Sequence, residues 1–398
     1  MTLTHQRDRL PGRVVNFDAV RAVHGEKADD MVKKLDVGDP LADAVIAELD
    51  RLGKEGRKIL NAGLADGLGS LENPPPAIAA LLRQLETVPR WADQEMLKRG
   101  EVMFLSINPV SAALAGVGSA LVHTYASPAI AKLLVRTGQL TTMAPRRLVE
   151  TGMWARESTL PGGLLRGAPG YIATAQVRLL HARVRATALK HGWDTAEWGV
   201  PINQIDIART WLDFTLVPFK AHETLGVLLT EAEQNKLYRY WWHTAHLLGL
   251  EEEFFLGVET HADAQRLQDL TDSTIAPPDE NSRALTEAML DAQAEALSEP
   301  LGIPKATLRQ LFDSLVRRFF GDEMADALHL PVSDITPLLP LITILNGEAR
   351  RWQTRTPETA AAALEEFVAA AQAQAVTVPE GPEYEQHMNT GQAPAPAA

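Results

Sequence analysis

Apolar residues recur three and four positions apart in nearly every segment of this 398-residue chain, whereas alternating β-branched runs and Asn-Gly hairpin signals are almost absent. A chain patterned this way buries its apolar surface by packing helix on helix, so the fold class is all-α. The spacing predicts helices over 41–63, 76–86, 92–105, 109–124, 128–137, 144–157, 170–191, 203–226, 230–249, 260–271, 281–298, 304–320 and 358–375. Ser127 caps a helix that starts on Pro128 and ends near Gly138, and Pro169-Gly170 and Gly192 bracket another. The aliphatic run 338–345, interrupted by Pro340, is far below the roughly 20 residues of a membrane span and reads as a buried segment. Residues 1–40 read as an N-terminal extension and 41–375 as a single helical domain. The Pro- and Ala-rich stretch 376–398 reads as a flexible tail.

Charge and cysteine content narrow the chemistry. A net charge of −13, with no basic run to offset it, leaves nothing to neutralise phosphates, so nucleic acid is not an expected partner. The absence of Cys removes disulfides, iron–sulfur clusters, thiolate metal sites and covalent c-type haem attachment together. Any metal must then be held by His, Asp, Glu or Tyr. The first twenty residues lack the apolar core of a secretory signal, so the chain as written reads as cytoplasmic.

The eleven histidines are the natural ligands for a redox metal. His5, His24 and His387 lie near the termini, and His191, His222 and His261 sit among polar or helix-terminal residues. His181 differs, because Val177, Leu180, Val184 and Ala188 share its side of one helix and place an imidazole in an apolar stripe. Such a residue is either a hydrogen-bonded core histidine or a ligand. A second cluster lies at 146–151, where Arg147 and Thr151 are four apart, Glu150 is adjacent and Trp154 follows one turn later. This is either an Arg–Glu surface pair or a cation and a hydroxyl that orient bound dioxygen and stabilise negative charge on it.

An ordered series of motifs resembles the latex clearing protein (rubber oxygenase) family and its wider relatives, the mycophenolic-acid-type oxygenases. It comprises VPRWADQEMLKRGEVMF at 88–104, the RxxxT of Arg147 and Thr151, VRLLHARVR at 177–185, GVPINQIDIARTWLDF at 199–214 and YRYWWHTAHLLGL at 238–250. Arg147 and Thr151 precede His181 by 34 and 30 residues, which fits that family's distal Arg, distal Thr and proximal His. The resemblance implies a globin-like helical core, with further helices around it, enclosing noncovalent haem b. His181 is then the proximal iron ligand, with Arg147, Glu150 and Thr151 at the catalytic face and dioxygen as co-substrate. It also implies oxidative cleavage of a carbon–carbon double bond in an apolar unsaturated substrate, isoprenoid-like or polymeric, with an external electron donor as a further partner. Arg178, Arg183 and Arg185 are candidates to meet the haem propionates.

Two departures qualify the likeness. Glu150 stands where latex clearing proteins carry Lys, and 127–146 contains no acidic residue where rubber-cleaving members have a functional Glu. Glu150 is therefore a candidate base or hydrogen-bond acceptor in its own right. A rubber polymer lies outside the cell and family members are secreted, which sets them against the cytoplasmic reading of this chain. Two other classes stay open: a haem-binding sensor or carrier without turnover, and a nonhaem oxygenase using the HxxH pair His243 and His246. The small-residue segment 111–122 is either a close helix contact or part of a substrate channel.

Overall fold

The computed structural model describes residues 10–107, 109–136, 140–333, 335, 337, 339–373 and 382. The expected helix end at Gly138 and, save for residue 382, the stretch 376–398 lie outside them. Among the described residues the fold is all-α, with no strand and one isolated bridge between Val14 and Ile275.

Two apolar cores organise the helices. The larger gathers Pro40–Asp66, Pro76–Glu86, Pro169–Lys190, Gln204–Asp213 and Glu231–Leu247, and it includes Met31 and Leu35 from the N-terminal stretch. The smaller is built on Glu280–Leu301 and Lys305–Ala327, against which Val117–Tyr125 packs. Helix Leu140–Thr159 bridges the two, since Trp154 and Ala155 belong to the first core and Leu148 packs on the second.

Where single long helices were expected, local chemistry divides them. Gly100, at φ 80, ends Gln94–Arg99, and the Glu101 carboxylate caps Val102–Leu105 by accepting from the Met103 and Phe104 amides. Gly116 separates Pro109–Ala115 from Val117–Tyr125. The expected helix 203–226 breaks at Phe214 and Thr215 and resumes as Leu216–Thr224. Pro218 is the reason, because its ring would clash with the carbonyl four residues earlier, whereas the first turn of a new helix tolerates it.

Among the described residues, three helices of eight residues or more were not anticipated. Phe17–His24 and Glu26–Lys34 occupy the N-terminal stretch, and Leu339–Gln353 contains residues 339–345 of the run expected to be buried, residue 338 lying outside the described residues. That expectation fails for much of the run: Leu339 is buried, but Leu341, Ile344 and Leu345 are 57%, 62% and 61% exposed. Helical geometry explains it, since Leu339 and Ile342, three apart, face the smaller core while the intervening positions turn outward. The small-residue segment 111–122 proves to be mainly a packing surface. A Cβ at Gly118 would lie 2.3 Å from the Gln293 side chain, and among the described side chains of the segment Leu121 alone lines the cavity described next.

Candidate active site

A cavity of about 300 Å³ lies between helices of the larger core and the helices Val117–Tyr125 and Pro128–Arg136, at the small end of the range for small-molecule sites. Its wall is mostly apolar and aromatic, including Trp154, Trp193, Trp211, Phe214 and Trp241. The polar groups in that wall are few, and Arg147, Glu150, Thr151 and His181 are all among them. Residues nominated separately from the sequence thus meet in one chamber.

The meeting follows from a helical hairpin. Leu140–Thr159 and Pro169–Lys190 are joined by a short connection and pack along each other. Arg147 lies twelve residues before Thr159, and His181 lies twelve residues after Pro169. Both therefore stand at the same height above the joint, and the 34-residue separation is the length of two equal arms plus the turn. The joint itself is tight. A Cβ at Gly170 would lie 2.4 Å from the Glu157 carbonyl oxygen, and one at Gly163 would lie 2.0 Å from the same atom. The Tyr171 amide donates to the Gly163 carbonyl at 2.8 Å, and Trp154 Nε1 donates to Thr174 Oγ1 at 3.1 Å.

His181 keeps some accessible surface because the cavity abuts its ring, yet its Nδ1 is buried and has no hydrogen-bond partner. Burial, reinforced by the nearby Arg185 charge, pushes its pKa down to about 4 against a smaller opposing pull from Asp39. The imidazole is thus neutral at neutral pH. A neutral imidazole in the wall of an apolar chamber has the donor chemistry that iron coordination requires. Haem b fits this site on those grounds.

Arg147 hydrogen-bonds Tyr125, another cavity residue. Burial raises the Tyr125 pKa, with Arg147 pulling the other way, so the phenol remains protonated. Glu150 is buried, and the Arg146 Nε donates to its Oε1 at 2.6 Å. The Arg–Glu pair expected at this spacing therefore exists, between Arg146 and Glu150, while Arg147 turns to the chamber. Asp206 also reaches the wall, where Arg13 donates to it at 2.7 Å and 3.3 Å and Asn203 Nδ2 at 2.9 Å.

The three arginines suggested for propionates point elsewhere. Arg178 forks onto Asp39 and donates to Gln84, Arg183 pairs with Asp50, and Arg185 pairs with Asp43. None lines the chamber, because their side of the helix packs on Pro40–Asp66 and the carboxylates at its start and in its first turns. His243 and His246 stack on one another beside Trp91, and Gln84 contacts the His246 ring. Among the described residues no group of three or more His, Cys, Asp or Glu side chains is placed to hold a metal ion, so this HxxH pair gains no third ligand.

Sequence reasoning passed over Tyr125, Asp206 and a buried cluster around His123. His123 Nδ1 lies 2.5 Å from Asp213 Oδ1 and its Nε2 lies 3.1 Å from Asp272 Oδ2. Asp206, Arg209 and Asp213 fall at i, i+3 and i+7 of one helix, a polar stripe within an apolar segment. That stripe was the available signal, although partners some 60 to 90 residues away gave no local spacing to read.

Comparison with known proteins agrees with this architecture. Residues 107–345, more than half of the chain, match the family described as ER-bound oxygenase mpaB/B'/Rubber oxygenase, catalytic domain. A rubber oxygenase of Streptomyces sp. (strain K30) is 26% identical over 259 residues, which cover 64% of this chain and 61% of that protein. The fold is similar to that of latex clearing protein in the closed state, with a TM-score of 0.62 and 21% identity over 84% of this chain and 91% of that one. Since its hairpin and chamber lie within the matched span, the chain belongs to the family of mpaB/B' and rubber oxygenase catalytic domains.

Proposed function

We propose that this chain is a haem b dependent oxygenase that cleaves a carbon–carbon double bond in an apolar, unsaturated substrate. The observation that carries the reading is the convergence of a neutral, ligand-ready His181 and the Arg147–Thr151 pair on one apolar chamber. When bound, haem b supplies the dioxygen chemistry that side chains lack. One alkene and one dioxygen give two carbonyl ends, so both oxygen atoms appear in products and no net electrons are consumed.

The chain's own residues do the rest. His181 presents a nitrogen lone pair to the iron, and the tight hairpin holds that ring at a fixed height. The tryptophans and Phe214 take up the apolar chain of the substrate and exclude water, which strengthens every charge interaction inside. Arg147 offers fixed N–H donors and a positive charge to developing oxygen charge, and the Thr151 hydroxyl adds a further donor. Glu150, anchored by Arg146, places a carboxylate on the same wall and can accept a proton or a hydrogen bond there. The apolar wall suits a soluble terpenoid, polyketide or unsaturated lipid as well as a polymer.

An absorbance spectrum of the purified protein tests the cofactor. A Soret band near about 410 nm is expected for His-ligated b-type haem. Failure to develop one on reconstitution with haem, or a band unchanged in His181→Ala, rejects the reading. Product analysis against a panel of terpenoid, polyketide and lipid alkenes, with short polyisoprene included, then assigns the substrate class.

A further inference from the structure

The chamber wall formed by Thr124 and Tyr125 is backed by an ion cluster that the mechanism above does not use. His123 sits between two carboxylates, Asp213 at 2.5 Å and Asp272 at 3.1 Å. Arg209 donates to Asp272 at 2.7 Å and to the His123 carbonyl at 2.7 Å, and it lies 3.7 Å from Asp213. Thr124 donates to the second oxygen of Asp213 at 2.6 Å. These contacts tie together three helices, Val117–Tyr125, Gln204–Asp213 and His261–Asp272. From the remaining sides the ring meets Gln268 and stacks on Phe320, neither of which is charged.

Charge balance fixes the protonation state that suits this arrangement. Two carboxylates and one guanidinium leave a net negative charge in a buried place, and an imidazolium neutralises it. Burial and Arg209 disfavour that cation, but Asp272 and Asp213 together outweigh them and raise the His123 pKa. Asp272 is correspondingly held below the ordinary carboxylate range despite its burial, through Arg209 and His123.

We propose that His123 is a positioning residue, whose imidazolium completes a buried four-charge cluster and so holds Thr124 and Tyr125 where Tyr125 stays bonded to Arg147. It rests on the oxygenase reading for its effect on turnover, although the cluster itself does not. His123 lies on the side of its helix away from Tyr125, since two residues are 200° apart. Losing the proton leaves an unbalanced buried charge that loosens the three-helix junction. The wall carrying Tyr125 then shifts, and Arg147 loses the partner that orients it.

The test uses the full-length protein, with His123→Gln and Asp272→Asn as variants and Tyr125→Phe as the comparison. Histidine side-chain ¹⁵N NMR of the wild type should show one ring that stays doubly protonated above the free-histidine range, missing in His123→Gln and titrating at lower pH in Asp272→Asn. The thermal midpoint of the wild type should exceed that of His123→Gln most at low pH and approach it as pH rises through the His123 titration. Oxygen uptake in His123→Gln should lose about tenfold in kcat with little change in KM, and Tyr125→Phe should show the same split without the pH dependence. A His123 ring that is neutral at pH 7, or a His123→Gln unfolding profile parallel to the wild type at every pH, overturns the proposal. If His123→Gln does not fold, the wild-type and Asp272→Asn titrations decide it. Absence of a Soret band would reject the oxygenase reading while leaving the NMR and unfolding tests of the cluster intact.

Discussion

Two histidines on helices that line the chamber meet opposite fates. His181 is surrounded by apolar side chains and one nearby guanidinium, so its proton is driven off and its Nδ1 has no partner. His123, on the helix that carries the chamber residues Leu121, Thr124 and Tyr125, is clasped by two carboxylates that raise its pKa. Burial alone lowers both. What separates them is whether the helices packed against each ring bring carboxylates within hydrogen-bond reach. The same residue type is thus driven towards the neutral form at one position and towards the cation at the other.

The strongest way to break this contrast is to remove the donor. His181→Ala should abolish the Soret band and oxygen uptake while leaving a helical circular-dichroism spectrum, and a retained band would assign the iron to another residue. Next in size, Arg147→Leu should retain haem yet lower oxygen-uptake kcat on the order of 10²-fold, as expected for loss of one preorganised donor at a developing charge. A rate within about threefold of wild type, as for an exposed charge of no consequence, would exclude Arg147 from that task.

The pH dependence of folding sharpens the comparison with opposite signs. His181, held near 4, binds a proton more readily unfolded than folded. Its contribution to stability is therefore complete above the unfolded value near 6.5 and is lost as pH falls from about 6.5 towards 4. Replacement by Phe should flatten part of that acid loss in thermal midpoints of the haem-free protein recorded across the window. His123 contributes in the reverse sense, fully at low pH and less as pH rises through its raised value. The smallest effect concerns Glu150, where Glu150→Gln should shift the pH–rate profile and change kcat by less than about tenfold, the lower range for an assisting acid or base. An unmoved profile would leave that carboxylate as a partner for Arg146 and nothing more.

Much of this was legible in the chain. Helical spacing carried the fold class, whereas the apolar stripe around His181 and the RxxxT spacing of Arg147 and Thr151 each left two readings, and only the ordered series of family motifs joined them in one site. These signals are local, and a helix converts local spacing into a shared face. The His123 cluster was invisible because its members come from three helices, and nothing in a sequence records which distant carboxylate meets a given ring. Arg178, Arg183 and Arg185 misled for the same reason, since a cation near a ligand histidine can face either side of the helix. Here Asp39, Asp43 and Asp50, more than 130 residues earlier, claim all three. The exposed face of Leu339–Gln353 shows the limit of composition, because an apolar run suggests burial while the turn of the helix sends Leu341, Ile344 and Leu345 outward.

The glycine-tight joint between Leu140–Thr159 and Pro169–Lys190 makes the hairpin a pair of tongs. Twelve residues of helix give each arm a length of about 18 Å from pivot to tip. At that leverage a tilt of about 3° at the pivot moves a tip by about 1 Å, and a 1 Å misplacement can cost about 10²-fold in rate. The gauge of the chamber is thus set at the far end of the hairpin, by two residues without side chains that never touch the substrate. Selection can retune what the chamber admits by adjusting the pivot while Arg147, Thr151 and His181 stay unchanged.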